Sequence, residues 1–405
     1  MASATGIAAM KPGPGYSMAP LVIITALCNI AFMAFNTVVG PIARVTGLHE
    51  WQIGVVVSVA GLSWMLSSRP WGRMADTRGR LPVLRWGLWG FTVIFAILAL
   101  AVGITLAGFT GAWFLFGVML VTRALLGVSY SAVPVAGQAL VADAFSPEQR
   151  AGALAALGAG GALGMVFGPA LAAMLATVHL LAPMLATVVL GALALALSSR
   201  LPIPARTAGE SNEAMMGWLD RRLRWPSIVA FCAMFCVMSA QVNTAFYLMD
   251  ALQVPASQAT GQTGIVLTAV GVALIAAQML VRFNAKRSRP WSASRLIMVG
   301  AMIGATSFAL GTAATLLWQL AITYALAGFG MGMVFPAFAA LASNAVSPHE
   351  QGVAMGTVGA AQASGMVIAP IASTTLYHIE PALPFWVASS VLALLAVAAW
   401  IKQRR

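Results

Sequence analysis

Gly72-Arg73-Met74-Ala75-Asp76-Thr77-Arg78-Gly79-Arg80-Leu81-Pro82-Val83-Leu84 interrupts a long apolar context with a cluster of charges. The run reads as a sharp reversal between two helices. Gly79 permits backbone angles closed to other residues, and Pro82 suits the first turn of a following helix. Asp76 and Arg80 can pair with each other or with nearby helix ends. On either side lie apolar stretches at roughly 51–70 and 82–107, and about 20 such residues cross a bilayer's hydrocarbon. The segment is therefore a short connection at a membrane face, and its arginines mark that face as cytoplasmic.

The same pattern extends along the whole chain. Of its 405 residues 60% are hydrophobic and 8% charged, and the mean hydropathy is +0.90. Soluble domains carry about 25% charged residues, so a water-soluble enzyme, a nucleic-acid reader and a disordered scaffold are excluded. The three cysteines give no disulfide framework. Six apolar stretches fall at roughly 18–43, 51–70, 82–107, 110–141, 148–177 and 179–199. Six more fall at 225–250, 258–283, 292–316, 318–345, 350–377 and 382–401. The organisation expected is a tail over 1–17, a six-helix bundle over 18–199, a linker over 200–224, a second bundle over 225–401 and a tail over 402–405. Residues 1–17, with Pro12-Gly13-Pro14-Gly15 and no apolar core, do not read as a secretory signal.

The 22 lysines and arginines test this layout. With the amino terminus inside, all but two fall on the cytoplasmic face; Arg44 lies opposite and Arg123 lies within a span. That bias follows the positive-inside rule and would collapse if one helix were miscounted. Both termini are expected in the cytoplasm, and the net charge of +12 is read as anchoring at an anionic membrane face.

An internal repeat underlies the twelve spans. Ser146-Pro147-Glu148-Gln149-Arg150 resembles Ser347-Pro348-His349-Glu350-Gln351, and Gly164-Met165 and Pro169 match Gly365-Met366 and Pro370 at the same offset. Two similar halves of six spans are the mark of a two-bundle transporter with its site at their interface.

The Gly72–Leu84 run resembles the loop signature of the major facilitator superfamily, Gly-x-Leu-Ala-Asp-Arg-x-Gly-Arg-Lys-x-x-Leu. Leu81 stands for the usual basic residue and Thr77 for the usual arginine. The fold implied is all-α and membrane-embedded, with twelve transmembrane helices in two pseudo-symmetric six-helix bundles. The resemblance implies that this loop stabilises the outward-facing state. In the family, its aspartate and second arginine join an acid at the end of the fourth helix, where Asp143 stands here. Gly72, Asp76, Gly79, Arg80 and Asp143 are accordingly expected to form a cytoplasmic gate.

In the fourth span, Arg123-Ala124-Leu125-Leu126-Gly127 resembles the family's Arg-x-x-Gln-Gly run, with Leu126 in place of glutamine. A charge at bilayer depth is costly and usually faces a cavity or a partner. The family links this arginine to proton transfer, although a guanidinium does not itself deprotonate in proteins. Gly164-Met165-Val166-Phe167-Gly168-Pro169 resembles the family's antiporter motif, and Ala172 and Ala173 replace its closing glycines. Gly164, Gly168 and Pro169 are expected to give close helix packing and a bend.

Polar residues at helical spacing mark a candidate cavity: Asn29, Met33 and Asn36 on the first span, Tyr130 on the fourth, Asn243 and Phe246 on the seventh, Gln362 and Met366 on the eleventh. Asp250, at the outer end of the seventh span, is the candidate proton carrier. With Arg123 at depth and no acid beside it, the cavity should favour neutral, zwitterionic or anionic lipophilic molecules over dications. No histidine or acid accompanies Cys232 and Cys236, so no metal site is expected. No phosphate-binding Gly-Lys-Ser/Thr loop exists, so neither ATP nor another cofactor is expected to drive the protein.

The reading is a proton-coupled exporter of lipophilic small molecules, of the 12-span drug:proton antiporter type, in the cell (inner) membrane. It would act as a monomer in the bilayer, with no nucleic-acid partner. A dedicated siderophore or metabolite carrier of the same superfamily is the competing reading. A membrane enzyme would need clustered polar groups at depth, which are absent. In a cysteine-free background, a cysteine at position 211 should resist a membrane-impermeant maleimide in intact cells and react after permeabilisation. Labelling in intact cells would overturn the topology.

Overall fold

In the computed structural model, residues 18–145, 147–201, 220–285, 291–347 and 350–404 are described. The tail 1–17, most of the linker, and Ser146, Pro348 and His349 of the repeat lie outside them. Among the described residues the fold is all-α. The first half comprises α1 (Ala19–Thr46), α2 (Glu50–Arg78), α3 (Arg80–Leu106), α4 (Ala112–Ala144), α5 (Pro147–Ala176) and α6 (Ala182–Leu197). The second half comprises α7 (Arg224–Asp250), α8 (Ala256–Ala285), α9 (Ala293–Gly311), α10 (Leu317–Asn344), α11 (Gln351–Ile379) and α12 (Leu383–Arg404). All twelve helices are long and apolar enough to span a membrane. The chain is a multi-pass membrane protein.

The helices run past the apolar stretches. The hydropathy pattern ends the second span at 70 and resumes at 82, yet α2 continues to Arg78 and α3 starts at Arg80. Most of the Gly72–Leu84 run is thus helical, and Gly79 (φ +100°) alone makes the turn. Hydropathy registers only the part in hydrocarbon, whereas a polar extension can go on bonding its backbone as helix in water. Conversely, α9 stops at Gly311, several residues short of the expected 316.

Large apolar side chains face outward: Leu66, Trp89, Leu100, Trp113 and Leu394 are 62–71% exposed. In water such exposure would favour aggregation; here it meets lipid tails. Lipid offers no hydrophobic drive between helices, so close packing and polar links must hold them together. In the first half, Trp71 Nε1 donates to the Val128 carbonyl at 2.7 Å, and Ser67 and Ser131 hydroxyls meet at 2.7 Å, joining α2 to α4. In the second, Ser389 donates to the Ala305 carbonyl at 2.8 Å, joining α12 to α9.

The Gly164/Gly168 stripe packs α5 against α1. A Cβ on Gly168 would lie 2.8 Å from the Ile30 carbonyl oxygen and 2.5 Å from Met33 Cβ. Gly365 repeats the contact in the second half, where a Cβ would lie 2.7 Å from the Phe231 carbonyl of α7. Helix α5 runs through Pro169, and α11 through Pro370, each as a single helix.

The two halves meet through α1 with α7, α2 with α11, and α5 with α8. Cβ atoms on Gly54 and Gly264 would lie 2.7 Å from the Pro370 carbonyl and 2.6 Å from the Pro169 carbonyl. Both contacts lie in the half of the membrane away from the α2–α3 turn. The end bearing that turn is called the basic end below.

Gly168→Val should lower the thermal unfolding temperature in detergent through a cost of about 1–3 kcal/mol, because the α1 backbone cannot yield. Gly117→Ala, which meets open space, should leave it unchanged or raise it slightly.

Candidate functional site

A cavity of 670 Å³ lies between the two halves near the basic end. Trp64, Ser68 and Arg69 of α2 and Gln138 of α4 form one side; Met234 of α7 and Thr357, Gln362 and Met366 of α11 form the other. Small-molecule sites commonly occupy about 300–1,000 Å³. Most of the wall is apolar, with the amides and the Arg69 guanidinium as its orienting groups. Among the described residues, no aspartate or glutamate lines it.

The opposite end is closed by charge. Arg44 Nη2 at the end of α1 donates to both carboxylate oxygens of Asp250 on α7, at 2.7 and 2.8 Å, and to Glu50 Oε1 of α2 at 3.2 Å. The Tyr377 hydroxyl of α11 donates to Asp250 Oδ2 at 2.9 Å. The cluster ties α1 and α2 of the first half to α7 and α11 of the second, and the Gly54–Pro370 approach lies beside it in the sequence of α2 and α11.

A second charged cluster sits at the basic end within the first half. Arg80 pairs with Asp76 across the Gly79 turn, and Arg80 Nε donates to Asp143 Oδ2 at 3.1 Å. The three charged residues among the five expected at a gate are thus brought together. Gly72 lies inside α2 with nothing near its Cβ position.

Arg123 is fully buried. Its guanidinium lies 4.3 Å from the Phe35 ring centre and 4.8 Å from that of Phe32. None of its side-chain nitrogens has a hydrogen-bond partner among the described residues. Desolvated cation–π contacts contribute about 2 kcal/mol, which offsets part of the burial cost.

Of the expected cavity residues, Gln362 and Met366 line the cavity. Tyr130 is buried, stacked on Phe32 with ring centres 5.2 Å apart and edge-on to Trp64 at 5.5 Å. Asn243 and Phe246 are fully buried, Asn243 donating to the Ser239 carbonyl at 2.9 Å and Phe246 packing on Tyr377. Asn29 donates to the Thr25 carbonyl at 3.0 Å, and Met33 Sδ accepts from Gln241 at 3.8 Å. Asn36 Oδ1 has no partner among the described residues. Asp250 is the ion-pair partner of Arg44, at the end away from the cavity. Sequence reasoning misses Trp64, Arg69, Gln138 and Met234 as cavity residues. It also misses the Arg44 cluster, although Arg44 stands out as the lone basic residue on its face.

Twelve spanning helices around a cavity between two halves define a membrane transporter. The Major Facilitator Superfamily model matches residues 21–317 and 291–405, and the chain belongs to that family; its members are transporters of small molecules, not enzymes. Tetracycline resistance protein class C of Escherichia coli is 27% identical over 347 residues, 80% of this chain and 79% of that one. The class G protein of Vibrio anguillarum is 28% identical over 337 residues, 80% of each chain. A solved bacterial homologue of the human lysosomal transporter Spinster, in an inward-facing and occupied conformation, shares the fold at a TM-score of 0.77. It covers 98% of both chains at 16% identity.

A further ion pair ties the connection between the halves to the basic end. Arg222 donates to both carboxylate oxygens of Glu350, at 3.0 and 3.2 Å, and Ser347 donates to the same carboxylate. The Arg222 bonds first, then those of Ser347, hold the Glu350 carboxyl down to about 2 from an ordinary 4.5. A carboxyl depressed in the folded state stabilises above its ordinary value, and that contribution disappears as pH falls through 4.5 toward about 2. Glu350→Gln should therefore melt earlier than the parent at pH 7, and the gap should close progressively below pH 4.5. A gap independent of pH would assign the loss to something other than this charge.

Proposed function

We propose that the protein is a proton-coupled exporter of lipophilic small molecules in the inner membrane, working by alternating access with both termini in the cytoplasm. The observation that carries this is the pairing of an interbundle cavity at the basic end with a charged closure at the other. Under the positive-inside rule the basic end is cytoplasmic, so this arrangement is the inward-facing member of a two-state cycle. The resemblance to tetracycline resistance proteins supports export and a drug-like cargo.

In this cycle the Arg44–Asp250 cluster favours the inward-facing state, and the Asp76–Arg80–Asp143 cluster at the cytoplasmic face favours the outward-facing one. Gly79 holds the turn that presents Arg80 to both acids, and Gly72 belongs to the same gate. The Gly164/Gly168/Pro169 stripe carries the antiporter role, and Arg123 is the fixed charge that a proton-coupled cargo senses. Asp250 is assigned the proton: a neutral carboxyl no longer binds Arg44 as an ion pair, so protonation from outside loosens the outer closure.

The test is transport by purified protein in vesicles with an imposed proton gradient, combined with cysteine accessibility at the two ends. Asp250→Asn should abolish proton dependence and shift the population outward by roughly fivefold, as expected for loss of a partly exposed pair worth about 1 kcal/mol. Asp76→Asn, Arg80→Ala or Asp143→Asn should shift it inward, and all four should slow transport while substrate affinity in detergent holds. Shifts in the same direction from both clusters, or unchanged proton dependence in Asp250→Asn, would sink the scheme.

A further inference from the structure

The lipid-facing side of the second half has a groove between α9 and α12. These helices pack antiparallel: Ser389 donates to the Ala305 carbonyl at 2.8 Å, and a Cβ on Gly304 would lie 2.8 Å from Leu392 Cδ1. Toward the basic end they leave a groove of 370 Å³, lined by Met298, Met302 and Ala305 of α9 and Ala393, Val397 and Trp400 of α12 among others. It opens to the surroundings of the bundle: Met302, Val397 and Trp400 are 43–55% exposed. None of its residues lines the cavity between the halves. In a bilayer an empty apolar groove forfeits dispersion contacts along its wall, and an alkyl chain restores them.

Cations stand at the basic end of this groove. Arg295, Met298 and Met302 fall at helical spacing on α9, as do Ala393, Val397, Trp400 and Arg404 on α12, so each arginine continues the face that lines the groove. The register set by Ala305 opposite Ser389 puts Arg295 level with Trp400, about one turn from Arg404. The Arg404 guanidinium lies 3.8 Å from the Trp400 ring centre, and that of Arg295 lies 4.7 Å from the Trp291 ring centre. Both arginines are exposed. Tryptophan settles at the headgroup level of a bilayer, and its ring face holds a guanidinium there. The positive end of the α9 dipole lies at the same place. The corresponding pair in the first half, α3 and α6, has a groove of 640 Å³ lined by Leu100, Ile104 and Leu185 among others. No lysine or arginine occurs between Arg85 and Arg123 or between Arg150 and Arg200, so that groove has the apolar wall without the flanking cations.

From these observations we infer that the α9–α12 groove binds an anionic phospholipid from the leaflet at the basic end, its phosphate beside Arg295 and Arg404 and an acyl chain along Met298, Met302 and Val397. The guanidinium fork matches the oxygens of a phosphate, and basic pockets between spanning helices suit acidic headgroups. A free phosphate would meet the arginines and leave the groove empty. A zwitterionic lipid would fill the groove and bring an ammonium to the arginines. Methionine adapts to a flexible chain, so selectivity lies in the headgroup. The site goes beyond the exporter reading and does not depend on cargo, direction or protons.

The experiment uses the purified full-length protein in detergent and two lipids with identical acyl chains, phosphatidylglycerol and phosphatidylcholine, their binding followed by native mass spectrometry. Phosphatidylglycerol should bind about tenfold tighter, because each arginine near the headgroup attracts an acidic lipid. Arg295→Gln and Arg404→Gln should each remove about threefold of that preference, and the double variant nearly all of it. Lys402→Gln removes an equally exposed cation that instead lies 4.8 Å from Trp225 of α7, and it should leave the preference intact. Ala393→Trp, which fills the groove and spares both arginines, should weaken both lipids. Phosphatidylglycerol with a photoactivatable chain should crosslink to α9 and α12 around Met302 and Val397. Equal affinities for the two lipids, an effect of Lys402→Gln as large as that of either arginine variant, displacement by millimolar inorganic phosphate, unchanged binding in Ala393→Trp, or crosslinks confined to other helices would each overturn the inference. If the double variant fails to fold, the two single variants and the crosslinks on the parent decide.

Discussion

A backbone amide in hydrocarbon has no water to bond, so each segment crossing the bilayer must satisfy its own peptide groups. That constraint makes every span here a helix. It also removes the hydrophobic drive that would hold helices together in water, because lipid tails are as apolar as leucine. Association then depends on how closely backbones approach. Glycines at Gly164, Gly168 and Gly365 bring α5 and α11 against α1 and α7, and Gly54 and Gly264 bring the two halves together away from the basic end.

Those contacts also determine where space remains. Where Gly54 meets Pro370, a side chain has no room; farther along α2 and α11, toward the basic end, the helices separate around Trp64, Arg69 and Gln362. The cavity is thus the complement of the glycine contacts. Charge follows the same division: Arg44 and Asp250 join the halves where backbones touch, whereas Arg80 and its two acids are confined to the first half beside the opening.

The chain has few acids, and its arginines hold most of the described ones at the ends of helices. Arg123, within the first half, is fully buried, and none of its side-chain nitrogens has a hydrogen-bond partner among the described residues. Burial amplifies the field of such a charge, since a low-dielectric surround does not screen it.

The sequence by itself determined the number of spans, the grouping of the basic residues and the repeat, and its resemblance to a known family implied the Asp76–Arg80–Asp143 set. The first three depend on composition or on pattern along the chain, whereas Asp143 lies 63 positions from Arg80 and only the resemblance joined the two. Residues such as Gln362 and Met366 were also legible, as polar and soft positions on one helical face. What only the tertiary structure decided were contacts between helices distant in the chain. Asp250 reads as a solitary acid until α1 brings Arg44 to it from 206 positions away. Tyr130, Asn243 and Phe246 read as cavity residues because helical spacing shows which face a side chain is on, but not whether that face meets another helix or a void. Trp64, Arg69 and Gln138 line the cavity for the converse reason: which helix faces part company is determined by the packing of all twelve, and no local pattern encodes it.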